Sequence, residues 1–154
     1  MILDTKYQPA FTLIELLVTT SIILLLAGFG LASWQTFNQQ QTLDAAAQDL
    51  KNNLRLARSW AMAVKKSCDG PAGGYQVSFA SDSYSIREKC GGSLVGSPQT
   101  YFYPSGVSGS VPSPNNFIFA PLTGAKTPPG DIEIILSLSG REKKVSIKTN
   151  GEIE

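Results

Sequence analysis

Charge is almost absent between Phe11 and Trp34. Phe11-Thr-Leu-Ile-Glu-Leu-Leu-Val-Thr-Thr-Ser-Ile-Ile-Leu-Leu-Leu-Ala-Gly-Phe-Gly-Leu-Ala-Ser-Trp34 carries one ionisable side chain, Glu15. About 20 mostly apolar residues suffice for a helix to cross the hydrocarbon of a bilayer, so this run is read as a span. Beyond it the pattern becomes one-sided: Leu43, Ala47, Leu50, Leu54, Ala57, Ala61 and Val64 recur at spacings of four and three, and no Pro interrupts Phe11 to Ser67. The spacing predicts one helix from about Thr12 to Lys66, about 80 Å long at the helical rise. Lys65 and Lys66 complement its C-terminal dipole and Asp69-Gly70-Pro71 stops it. Gly28 and Gly30 read equally as small residues tolerated in a span and as a place for it to bend.

From Gly73 the period shortens to two, punctuated by Gly, Ser and Pro. Strands are predicted at Tyr75 to Ala80, Tyr84 to Lys89, Gln99 to Tyr103, Phe117 to Ala120, Glu133 to Ser139 and Lys144 to Lys148, with a last short one near Glu152 to Glu154. Gly91 to Ser97 and Val107 to Asn116 read as surface connections. In Tyr75-Gln-Val-Ser-Phe79 and Val145-Ser-Ile147 the apolar side chains share a face, as a sheet half covered by a helix requires. There is no internal repeat and no second folded domain in this pattern. The class is α+β, a long N-terminal helix packed on small antiparallel sheets.

Glu15 is the informative residue. A carboxylate inside a span costs about 2.5 to 3.5 kcal/mol on insertion scales and calls for a partner. Phe11 lies four residues earlier, one turn away on the same face, and a cut before it would create an ammonium there. The segment Phe11-Thr-Leu-Ile-Glu-Leu-Leu-Val18 resembles the N-terminal signature of type IV prepilins and type II secretion pseudopilins. The resemblance implies a leader, Met1 to Ala10, removed by a prepilin peptidase/N-methyltransferase. It also implies methylation of the new Phe11 amine and pairing of Glu15 with an N-terminus in a filament of pilin subunits. Two departures stand out: Ala10 occupies the position that is usually Gly, and the leader has Lys6 offset by Asp4. The competing reading is an uncleaved anchor for an extracytoplasmic binding domain, with Glu15 tolerated at the interface.

Further along, a helix ending near Ala57-Arg58-Ser59, a Gly-Tyr strand, Phe117-Ile-Phe-Ala-Pro121 followed by Gly124, and a closing hairpin from Ile134 to Gly151 resemble the GspH/FimT-type minor pilins and pseudopilins. That likeness implies a pilin-like fold and a role in assembly. The expected layout is a leader at 1–10, the membrane half of the helix at 11–34, its extracytoplasmic half at 35–67 and a β-rich unit at 68–154.

Charge and chemistry narrow the picture. Lys6 precedes the span and the next basic residue is Lys51, so the positive-inside bias favours a cytoplasmic N-terminus and an exported C-terminal part in a single-pass inner-membrane protein. Trp34 and Phe37 suit the outer interface. Cys68 and Cys90 fall on the exported side and are expected to pair, with a two-ligand metal site or free thiols as alternatives in a chain that has no His and no CxxC.

Enzymatic chemistry is not supported: Ser-His and Cys-His arrangements are excluded, and Asp82, Glu88, Asp131 and Glu133 show no paired spacing. No P-loop or dinucleotide fingerprint appears, and no cofactor or metal is expected. Arg141, Lys143, Lys144 and Lys148 raise DNA uptake as an alternative function, but Glu142, Glu152 and Glu154 interrupt the patch in a chain of net charge +1. Tyr101, Phe102 and Tyr103 read as core in preference to a contact patch.

Overall fold

The computed structural model describes residues 11–65 and 67–154, with 29–33 followed by their backbone. Helix α1, Leu13–Met62, is continuous through Gly28 and Gly30. The chain falls into two compact units divided between Asn38 and Gln39.

In the second unit the helical stripe is buried as its spacing requires. Leu50, Leu54 and Ala57 are fully enclosed, Leu43, Ala47 and Ala61 nearly so, and Ala46 joins them. The helix stops earlier than Asp69-Gly70-Pro71 predicts. Val64, at φ 51°, turns into the left-handed region; its N–H donates to the Ala61 carbonyl (3.1 Å) and the Lys65 N–H to the Trp60 carbonyl (3.0 Å). This is a Schellman cap built on a β-branched residue where glycine is usual, so its sequence signal is silent. Lys65 consequently lies past the last turn with its ammonium 4.9 Å over the Trp60 ring, and Lys66 lies outside the described residues.

Eight strands follow: β1 Ala72–Phe79, β2 Ser83–Cys90, β3 Ser93–Phe102, β4 Ser108–Gly109, β5 Asn116–Phe119, β6 Lys126–Thr127, β7 Ile132–Leu138 and β8 Arg141–Ile147. They form two antiparallel sheets, ordered β3-β2-β1-β5-β6 and β4-β7-β8. Two expectations need correction. Gly91 to Ser97 is not a surface connection throughout, because Ser93, Leu94 and Val95 pair with Cys90, Lys89 and Glu88. Val107 to Asn116 is not wholly a surface loop either: Val107 is buried and Ser108–Gly109 adds a short strand to β7. Near the C-terminus, Ile153 makes an isolated bridge to Ile147 where a short strand is expected.

The core lies between the Leu43–Ala61 stripe and the inner faces of both sheets, led by Phe117, Phe119, Val77, Ile134, Leu136, Val145 and Ile147. Burying a side chain of this size contributes roughly 1.5 to 3 kcal/mol each. Among the polar ties from helix to sheet, Asn53 Nδ2 donates to the Tyr84 hydroxyl at 2.7 Å.

Candidate functional site

The first turn of α1 is capped by its own sequence. Thr12 Oγ1 accepts the Glu15 N–H at 3.3 Å, and the Thr12 carbonyl accepts the Leu16 N–H at 3.2 Å. Thr12 is thus the N-cap and Glu15 stands three residues on, where the orphan N–H groups and helix dipole favour a carboxylate. Around it every described side chain from Phe11 to Gly28 is exposed, including Leu13 at 82% and Leu24 at 73%. The hydroxyls in this run turn inward on the helix: Thr19 and Thr20 donate to the Leu16 carbonyl (3.0 and 2.9 Å) and Ser21 to the Leu17 carbonyl (2.8 Å). Satisfied in this way, they leave the cylinder apolar in effect, a surface suited to hydrocarbon or to other helices. Among the described residues no cation lies within ion-pair distance of Glu15.

The expected cleavage position Ala10, with the rest of the leader, lies outside the described residues, as do the side chains of 29–33 within the expected membrane half. Among the described residues no helix is long and apolar enough to cross a membrane.

The remaining candidates sort by environment. Cys68 and Cys90 form a disulfide. Glu88 stands beside it, 3.5 Å from Cys90 Sγ and 3.8 Å from Cys68 Sγ, and accepts the Ser67 N–H (2.8 Å) and hydroxyl (2.6 Å). These three residues have metal-ligand character, but sulfurs bonded to each other are not the thiolates that bind metal. Glu88 also borders an open pocket of about 270 Å³ lined by Trp60, Tyr75, Ile86 and Gln99. Its carboxylate is held by the two Ser67 donors.

The basic hairpin is neutralised locally. Lys143 pairs with Asp44 at 2.7 Å, Lys144 with Glu133 at 3.5 Å, and Lys148 with Asp131 and Glu154 at 3.5 and 3.7 Å, while Arg141 donates to Gln40. The aromatic triplet divides, contrary to the reading of all three as core. Tyr103 is buried and Tyr101 stacks on Tyr84 at 5.2 Å, but Phe102, on the opposite side of the strand, is 74% exposed.

Some residues that organise this unit are not evident in the sequence. Lys126 is buried, its ammonium donating to the Pro128 carbonyl at 2.5 Å, and burial pulls its pKa down. Burial likewise pushes the Tyr84 and Tyr103 hydroxyls up. Arg58 reaches from the helix to the Asn150 carbonyl at 3.1 Å. Tyr103 reads as core in the sequence, but nothing in their spacing announces the burial of Lys126 or the reach of Arg58.

Comparison with known proteins bears on the first turn and on the fold. The prokaryotic N-terminal methylation motif matches residues 5–31, the stretch that contains Phe11, Thr12 and Glu15. The type IV minor pilin FimU of Pseudomonas aeruginosa, in two crystal forms, superposes with TM-scores of 0.59 and 0.55 at 19% identity. The alignments cover 77% and 73% of this chain and 90% of FimU. The fold is that of a type IV minor pilin. No curated protein matches this pilin-like chain in sequence. At this identity the likeness to FimU establishes the fold, and the methylation motif is a separate match confined to the N-terminal stretch.

Proposed function

We propose that this chain is a minor subunit of a type IV pilus or of the related type II secretion pseudopilus. In this reading a prepilin peptidase/N-methyltransferase removes residues 1–10 between Ala10 and Phe11 and methylates the Phe11 amine. Residues 11–34 hold the subunit in the inner membrane with the N-terminus cytoplasmic, while 35–67 continue the helix outside and 68–154 form the exported β-rich unit. Other pilin-like subunits are its partners, and no chemistry is catalysed.

The observation that carries the proposal is Glu15: one carboxylate on a capped first turn in an apolar cylinder, with no described cation beside it. Helices in lipid associate by packing and polar contacts, so an acid that meets a neighbour's Phe11 ammonium fixes the axial register of the two. Two charges that are costly apart become tolerable together. The satisfied hydroxyls of Thr19, Thr20 and Ser21 leave no competing polar contact of similar strength on this turn.

The test is Glu15→Val in the native host. Membrane insertion should persist while recovery in sheared filaments is lost. Normal incorporation of the variant, or an intact Met1 in filament-borne protein by N-terminal sequencing, would falsify this reading.

A further inference from the structure

Where the end of α1 meets strands β1 to β3 lies the open pocket of about 270 Å³. Its apolar walls are the Trp60 and Tyr75 rings, 5.5 Å apart between centroids, together with Ile86 and Val95. Lys65 and Glu88 line the same space and bring one charge of each sign. The pairing of β2 with β3 makes the room: Ile86 faces Gln99 and Glu88 faces Val95, so Gly96, Ser97 and Pro98 stand against Arg87 alone. A bulge of this kind bends its strand, and bulges recur beside functional sites.

The walls are fixed by ties that need no ligand. The Tyr75 hydroxyl donates to the Lys65 carbonyl at 3.0 Å, and Arg87 Nε donates to the Gly96 carbonyl at 2.8 Å. Ser67 holds the Glu88 carboxylate through its N–H and hydroxyl, and the Cys68–Cys90 disulfide joins the same two stretches. Walls set in advance lower the ordering cost of binding.

Both charges of the pocket lack an opposite. Lys65 Nζ sits 4.9 Å over the Trp60 ring, and among the described residues neither Lys65 nor Glu88 belongs to an ion pair. A carboxylate offers about four acceptor positions and the Ser67 donors take two, so Glu88 keeps room for an incoming ammonium. The ring face gives Lys65 no acceptor oxygen, so its N–H donors remain for an incoming carboxylate.

We propose that this pocket binds a free α-amino acid with an apolar side chain. The ligand's ammonium meets Glu88, its carboxylate meets Lys65, and its side chain covers the Trp60–Tyr75 wall. A ligand with one charge leaves the other pocket group unanswered, and an uncharged sugar leaves both, so the charge pattern selects a zwitterion. The space suits one residue: about 270 Å³ falls just below the roughly 300 Å³ at which pockets for drug-sized ligands begin. Neither Glu15 nor filament assembly enters this argument.

The full-length protein in mild detergent, titrated with L-leucine by calorimetry, supplies the test. Wild type should bind one equivalent saturably. Glu88→Gln should weaken leucine and leucinamide by about tenfold or more and leave N-acetyl-leucine, which has no ammonium, unchanged. Lys65→Met should weaken leucine and N-acetyl-leucine by a similar factor and leave leucinamide, which has no carboxylate, unchanged. Lys65 is exposed, so its variant tests the pocket even where Glu88→Gln loosens the Ser67 contact. No saturable heat with leucine, equal losses for all three ligands, or tighter binding of glucose than of leucine overturns the proposal. Glu15→Val should bind leucine as wild type does; loss of binding in that variant would place the ligand on the apolar helix and overturn the pocket site.

Discussion

The backbone of Gly151 abuts the carbonyl of Gly124 so closely that a Cβ at Gly151 would lie 1.9 Å from that oxygen. Gly151 also has φ 80°, and the Arg58 Nε stands 3.0 Å from the same Cβ position. Helix, Pro121–Ala125 turn and C-terminal turn therefore meet at one point with no room for a methyl group. Gly151→Ala is expected to destabilise the second unit by about 3 kcal/mol or more, the sum of backbone strain and a backbone clash. Gly91→Ala is the control: φ is 56° but no atom lies within 4 Å, so strain alone applies, at about 1 to 2 kcal/mol. Urea midpoints that fail to separate the two variants would show that the turns move apart freely.

Leu122 presents the opposite case. It holds φ 67° with a side chain 74% exposed, while its N–H donates to the Ala61 carbonyl at 3.1 Å. The backbone bond beside the helix cap sets the conformation, and the side chain adds little burial in return. Leu122→Gly keeps the bond and removes the left-handed strain, so stability should rise by about 1 kcal/mol. Thermal unfolding should shift upward by several degrees. A downward shift would mean that Leu122 makes a stabilising contact greater than the strain.

The legible and illegible parts of this chain differ in how local their causes are. The stripe Leu43 to Ala61 and the alternation Tyr75, Val77, Phe79 are imprinted by burial on one face, so periodicity gives both elements and their inner sides. Glu15 is equally plain, because one charge in an apolar run is a local contradiction. The Schellman cap at Val64 is hidden because a β-branched residue takes the place glycine would mark. The extent of β3 is hidden for a similar reason: Gly96 and Pro98 look like loop residues, yet they sit at a register shift inside a paired strand. Lys126 and Arg58 depend on contacts with residues distant in sequence, which no window of neighbours contains.

Thr149 and Asp131 give the fold a specific pH dependence. The Thr149 backbone N–H, 3.0 Å from Asp131 Oδ1, is the main cause holding that carboxyl below its ordinary 3.8. The Thr149 hydroxyl at 3.2 Å and the Lys148 ammonium at 3.5 Å act in the same direction. A depressed folded-state pKa means that the contribution is present above the unfolded value and is lost as pH falls through the folded one. Wild type should therefore exceed Asp131→Asn in stability at neutral pH, and the difference should shrink below pH 3.8. Urea unfolding of both proteins at neutral and acid pH measures this. A difference that stays constant would assign the effect to shape instead of charge.

The cationic hairpin separates an assembly subunit from a DNA-binding one by arithmetic of charge. Arg141, Lys143, Lys144 and Lys148 bring four positive groups, and Asp44, Asp131, Glu133, Glu142, Glu152 and Glu154 bring six acids on or beside the same strands. Each exposed pair is worth no more than about 1 kcal/mol, so phosphate could displace a single carboxylate. The summed charge of these side chains, minus two, still gives DNA no attractive field to approach. Wild type should show weak duplex binding by fluorescence anisotropy, with little dependence on salt. Neutralising three of the acids together, by Asp44→Asn, Asp131→Asn and Glu133→Gln, leaves plus one. That variant should bind more tightly and acquire a steeper slope of log affinity against log salt, by about 0.9 for each phosphate newly contacted. If wild type already binds with a slope as steep as the variant's, the acids do not restrain the lysines, and the hairpin is a nucleic-acid surface after all.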